Sequence, residues 1–134
     1  LLAATMSNVP YRLSFAALAA LLVAGVASAP VRADADPERG ARLYESRCVG
    51  CHSLDANRVG PMHRGVYGRR AGSVPGFEYS PALKKAAFVW DAATLDRWLA
   101  NPQALVPGQR MNVRVTAERD RADIIAFLRR ESGK

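Results

Sequence analysis

The sequence is poor in the residues that usually carry chemistry. It holds two cysteines and two histidines in 134 residues. That cysteine count excludes a disulfide-dense mini-protein. Aromatic residues are sparse, at 7%. No apolar–polar alternation persists long enough for a strand, and no internal repeat is visible. No basic run is interleaved with aromatics, which speaks against nucleic acid. No apolar run reaches the roughly 20 residues that a membrane-spanning helix needs. The length suits one domain. With 49% apolar residues, the chain is not of disordered composition.

The first stretch differs from the rest. Leu13 to Val26 is apolar and uncharged, Arg12 precedes it, and small residues follow. That is the order of a secretory signal. Val31 and Ala33 put small residues at the −3 and −1 sites, so residues 1–33 are expected to be cleaved and the mature domain to span 34–134. Ala33 and Ala35 would instead start it at Asp36, and Met6 is a candidate initiator. Export implies the periplasm of a Gram-negative bacterium. Removing residues 1–33 takes away Arg12 and Arg32 and no acid, so the net charge falls from +7 to +5. A basic exported protein suits acidic protein partners or a membrane surface.

The mature part reads as helices between long loops. Asp36 caps a helix from Pro37 to about Val49, with Gly40, Leu43 and Tyr44 at helical spacing. Asn57 to Gly76 is broken repeatedly by glycine and proline. Ser80 caps a short helix that begins at Pro81. Asp91 caps another, with Leu95, Trp98 and Leu99 on one face, stopped by Pro102. A second loop, Pro102 to Val115, leads to a last helix capped by Thr116, with Ile124, Ile125, Phe127 and Leu128 facing inward. Such long loops leave a thin core. A large apolar cofactor would supply the missing interior.

Cys48-Val49-Gly50-Cys51-His52 is Cys-x-x-Cys-His, the c-type haem attachment signature. Two thiols one helical turn apart can each add to a vinyl group of a haem, and His52 can then ligate the iron. A Cys48–Cys51 disulfide would leave His52 and the loops unexplained. A zinc site lacks a fourth ligand, and a thioredoxin-like pair lacks its βαβ context. The iron then needs a sixth ligand or keeps an open site, and the candidate ligands are Met111, Met62, His63 and a few lysines. Met111 is favoured. It lies in a loop between two helices, a poor place for a core residue, and a thioether suits low-spin iron. Met62 and His63 follow His52 closely and belong on its side of the haem.

At this point the sequence resembles the class I cytochromes c, near the mitochondrial and alphaproteobacterial type. The likeness runs from about Pro37 to Arg130. Beyond the haem signature it rests on Gly60-Pro61, Gly65-Val66-Tyr67-Gly68-Arg69, Ala71 to Ser80, Trp90, Asn101-Pro102, Pro107-Gly108 and Met111. The resemblance implies an all-α cytochrome c fold, four or so helices with long loops wrapped round one haem c attached through Cys48 and Cys51. It implies His52 and Met111 as axial ligands, with the Pro61 carbonyl accepting a hydrogen bond from His52. Arg69, Tyr79 and Trp90 would surround a propionate. Gly40 and Tyr44 would pack on Ile124 and Phe127. Three positions depart from the family: His63 stands where a core leucine is usual, Trp98 replaces a tyrosine, and Gln109 replaces a threonine.

The expected function is mobile one-electron transfer in a periplasmic respiratory or photosynthetic chain, not enzymatic catalysis. The partners would be acidic redox proteins: an oxidase, a bc1-type complex or a dehydrogenase. A monomer is expected, with only peripheral membrane contact. Arg58, Arg64, Lys84, Lys85, Arg110 and Arg114 form a candidate positive rim. The alternative is a haem subunit or electron acceptor of a periplasmic dehydrogenase, and after it a peroxidase. Met111 on the iron would block the open site a peroxidase needs.

Overall fold

The computed structural model describes residues 34–134, so the expected signal segment 1–33 lies outside the described residues. Five helical segments follow in order: α1 (Pro37–Arg47), α2 (Pro81–Lys84), α3 (Ala92–Ala100), α4 (Pro102–Leu105) and α5 (Glu118–Ser132). Among the described residues the only ladder contact is an isolated antiparallel bridge between Arg70 and Val89. No described helix is long and apolar enough to cross a membrane.

Local chemistry sets the helix starts. The Asp36 carboxylate accepts from the backbone N–H groups of Glu38 and Arg39, at 2.9 and 3.1 Å, ahead of Pro37. Ser80 caps α2 through the Leu83 N–H, 3.2 Å away. Asp91 and Thr94 form a reciprocal capping box on α3.

Three boundaries differ from the sequence reading. α1 stops at Arg47, because Cys48 is already its C-cap. Pro102 both ends α3 and begins α4, since the Asn101 side chain caps the new turn through Ala104 N–H. Proline at a first helical position loses no intrahelical hydrogen bond, so one residue can stop one helix and start the next. Thr116 does not cap α5. Ala117 takes that place with no side-chain cap, and Glu118 and Asp120 put negative charge in the first turn instead.

The core of the frame is the crossing of α1 with α5. Gly40 permits it: a Cβ there would stand 1.9 Å from the Asp123 carbonyl oxygen and 2.9 Å from Phe127 Cβ. Tyr44 packs on Phe127 with ring centroids 5.1 Å apart. The Asp123 side chain is fully buried, yet it accepts from Asp36 N–H at 2.8 Å and pairs with Arg39 at 2.5 Å and Arg119 at 3.1 Å. Arg39 also pairs with Asp120, which Arg47 reaches at 3.0 Å. Burial pushes the Asp123 carboxyl up, but the Asp36 N–H, Arg39 and Arg119 outweigh it and leave it below its ordinary value.

Candidate functional site

The loops enclose a cavity of about 410 Å³, within the range of small-molecule and cofactor sites. Cys48, Cys51, His52 and Met111 line it, and Leu95, Trp98 and Leu99 bring the inner face of α3 to it. Every residue named from sequence as a haem contact is on this wall: Cys48, Cys51, His52, Pro61, Arg69, Tyr79, Trp90 and Met111. The tertiary fold thus joins residues from the whole length of the domain.

Cys48 and Cys51 are free thiols, one half-buried and one exposed. Burial pushes the Cys48 thiol up to about 11. The two cysteines sit on the turn that closes α1, where Cys51 N–H and His52 N–H both donate to the Cys48 carbonyl, at 3.1 and 2.8 Å. That one turn sends both thiols and the imidazole into the cavity.

His52 Nδ1 lies 2.8 Å from the Pro61 carbonyl oxygen. A carbonyl can only accept, so Nδ1 carries the proton and Nε2 keeps its lone pair. Burial lowers the His52 pKa, and the bond to Pro61 offsets part of that shift. Gly60 allows this approach: a Cβ there would stand 2.1 to 2.6 Å from three ring atoms of His52.

His63 stacks on His52, with ring centroids 3.9 Å apart and planes 21° from parallel. Its Nδ1 lies 3.2 Å from the Tyr44 hydroxyl. Burial, then the nearby His52 and Arg69, holds its pKa well below the usual histidine value.

Gln109, also on the cavity wall, grips the Met111 peptide from both sides. Its amide nitrogen donates to the Met111 carbonyl at 2.8 Å, and its amide oxygen accepts from Met111 N–H. Gln109 is only 5% exposed, so water does not compete for these bonds. From sequence, Gln109 is a departure from the family expected to tune the iron–sulfur environment, and the clasp on the Met111 backbone is not visible there. The position of Gln109 two residues from Met111 was the available signal.

Arg69 spends two donors on backbone, 2.9 Å to the Arg64 carbonyl and 2.8 Å to that of Met62, which fixes the guanidinium on the wall. The Tyr79 hydroxyl accepts from Val74 N–H at 3.3 Å. Trp90 meets Trp98 edge-on at 5.2 Å. The expected rim is less free than the charges alone suggested. Arg64 is paired with Asp55 and with Glu131, and Lys84 lies 3.2 Å from Glu78.

Known proteins resemble this arrangement closely. The cytochrome c family model matches residues 37–131. The chain belongs to the cytochrome c family. It is 47% identical to the cytochrome c of Euglena viridis over 97 residues, 70% of this chain and 95% of that protein. It is 43% identical to the cytochrome c2 of Rhodomicrobium vannielii over 111 residues, 80% of this chain and 88% of that one. Cytochrome cH from Methylobacterium extorquens shares the fold at a TM-score of 0.68 and 38% identity, covering 71% of this chain and 98% of its own.

As a member of this family the chain is an electron carrier with one covalently attached c-type haem, and Cys48 and Cys51 occupy the attachment positions. The geometry fits that group. The cavity is lined mostly by apolar side chains, and the attachment thiols, the His52 imidazole and the Met111 thioether line the same space. Among the described residues no group of three or more His, Cys, Asp or Glu is arranged to hold a bare metal ion.

Proposed function

We propose that this chain is a mobile one-electron carrier of a periplasmic electron-transfer chain, with His52 and Met111 as the axial ligands of its haem. The observation that carries the reading is the pairing of His52, its Nδ1 committed to Pro61, with Met111 on the wall of one cavity. When bound, the haem supplies the reversible Fe(III)/Fe(II) couple.

The chain's own residues prepare that couple. Pro61 orients His52 and leaves Nε2 free for the iron. Gln109 holds the Met111 backbone so that the thioether is presented rather than searched for. His52 and Met111 would hold the iron in both oxidation states, and the thioether would favour the reduced one. Arg69, Tyr79 and Trp90 would surround a propionate, with Arg69 anchored by two carbonyls. Removal of residues 1–33 leaves the 34–134 domain in the periplasm, basic enough to meet acidic redox partners as a monomer. Arg58, Lys85, Arg110 and Arg114 steer that encounter, while Arg64 and Lys84 contribute less because acids neutralise them.

The test is the visible spectrum of the exported, haem-loaded protein. A far-red charge-transfer band of a methionine–Fe(III) bond, lost in Met111→Ala, is expected. A wild-type ferric protein without that band, binding small ligands readily, would overturn the ligand assignment. N-terminal sequencing of periplasmic material should begin at Asp34.

A further inference from the structure

His63 is not needed by anything described so far. It stands where the family usually has a leucine, and a half-buried imidazole costs more than a leucine unless its polar atoms are satisfied. Two features fix it in place. Its backbone is pinned, with the N–H donating to Ser53 carbonyl at 2.9 Å and the carbonyl accepting from Val66 N–H at 2.9 Å. Its ring touches Tyr44 edge-on, with centroids 5.6 Å apart and Nδ1 3.2 Å from the hydroxyl. Tyr44 in turn packs on Phe127 of α5. The far side of this chain of rings is His52, stacked on His63 at 3.9 Å.

A hydrogen bond from Nδ1 to one carbonyl leaves an imidazole free to rock about that bond. A second ring lying nearly parallel to it removes that freedom, because rotation of His52 would drive it into His63. A leucine would fill the space without defining a plane. We propose that His63 is a positioning residue: it sets the rotational orientation of the His52 ring and ties it, through Tyr44, to the α1–α5 pair.

The inference rests on His52 being an axial ligand. The orientation of an axial imidazole sets the pattern of unpaired spin over a ferric haem. The readout is therefore the set of haem-methyl shifts in the proton NMR spectrum of the full, haem-loaded ferric protein, with its reduction potential beside it. His63→Leu should change the order or spacing of these shifts and move the potential. His63→Phe, which restores a flat ring, should return the shifts toward wild type. A wild-type pattern in His63→Leu, or equal disturbance in both variants, would overturn the proposal. If His63→Leu does not mature, Tyr44→Phe decides instead: it keeps the core carbons and removes the hydroxyl that holds His63, and an unchanged pattern would overturn the proposal. Failure of the ligation reading looks different, because the wild-type protein itself would then lack the low-spin His/Met spectrum.

Discussion

Between α1 and α5 the side chains satisfy one another. Arg39 lies against Asp120 and Asp123, Arg47 reaches Asp120, Tyr44 packs on Phe127, and Gly40 lets the backbones touch. Around the cavity the order is of another kind. Residues 54–80 and 106–117 carry no helix or strand, only the bridge residue Arg70, and turn on glycines such as Gly65, Gly68 and Gly76, which have positive φ. Some of their side chains, such as Ala71 and Val74, join the common core, while Val66, Tyr79 and Val115 also line a space of about 410 Å³. The helix pair is filled by its own side chains. The loop wall is filled only in part.

The sharpest way to break this contrast is to prevent attachment. The double variant Cys48→Ala, Cys51→Ala should lose covalent haem on a stained gel and most tertiary near-UV dichroism, because the wall loses its interior. Retention of the full tertiary signal would show that the loops hold themselves.

Gly40→Ala addresses the helix pair. Helix propensity alone would favour alanine by about 1 kcal/mol. The new Cβ would stand 1.9 Å from the Asp123 carbonyl oxygen, a backbone atom that moves only with its helix. Overpacking should win, with a net loss of about 1–2 kcal/mol in guanidinium melts. A gain would mean the helices can slide apart at little cost.

Gln109→Ala acts on the wall alone. Two hydrogen bonds to the Met111 peptide are lost, and the loop should release its thioether more readily. Imidazole binding to the ferric protein should tighten about tenfold, equivalent to about 1.4 kcal/mol, while far-UV dichroism is unchanged.

The smallest effect is electrostatic. The Asp123 carboxyl is held below its ordinary value of 3.8 in the folded protein. Its stabilisation is therefore complete above that value and is lost as the pH falls through the lower folded value. Stability measured against pH should decline more gently at the acid end in Asp123→Asn than in wild type. Parallel curves would remove Asp123 from the account.

Much of the site was legible beforehand because it is written in spacing. Two cysteines and a histidine on one turn, with Gly-Pro a few residues on, imply the chemistry whatever the rest does. The caps at Asp36, Ser80 and Asp91 are equally local, since each reaches an N–H two or three residues away. The missing turn at Pro102–Leu105 and the uncapped start of α5 were less legible, because the same residues can stop a helix or begin one. Which members of the positive rim are neutralised was not legible: a charge in a sequence does not declare its partner, and Arg64 finds Glu131 from 67 positions away.

The amino-acid sequence by itself determined the attachment motif, the helical class, most helix starts and the family, because these depend on contacts within a few residues or on motifs in a set order. Only the tertiary structure decided that His63 lies flat on His52, that Gln109 clasps Met111, and that a buried Asp123 joins the first helix to the last. Those contacts arise where distant segments meet, and the geometry of a meeting is not carried by either segment alone.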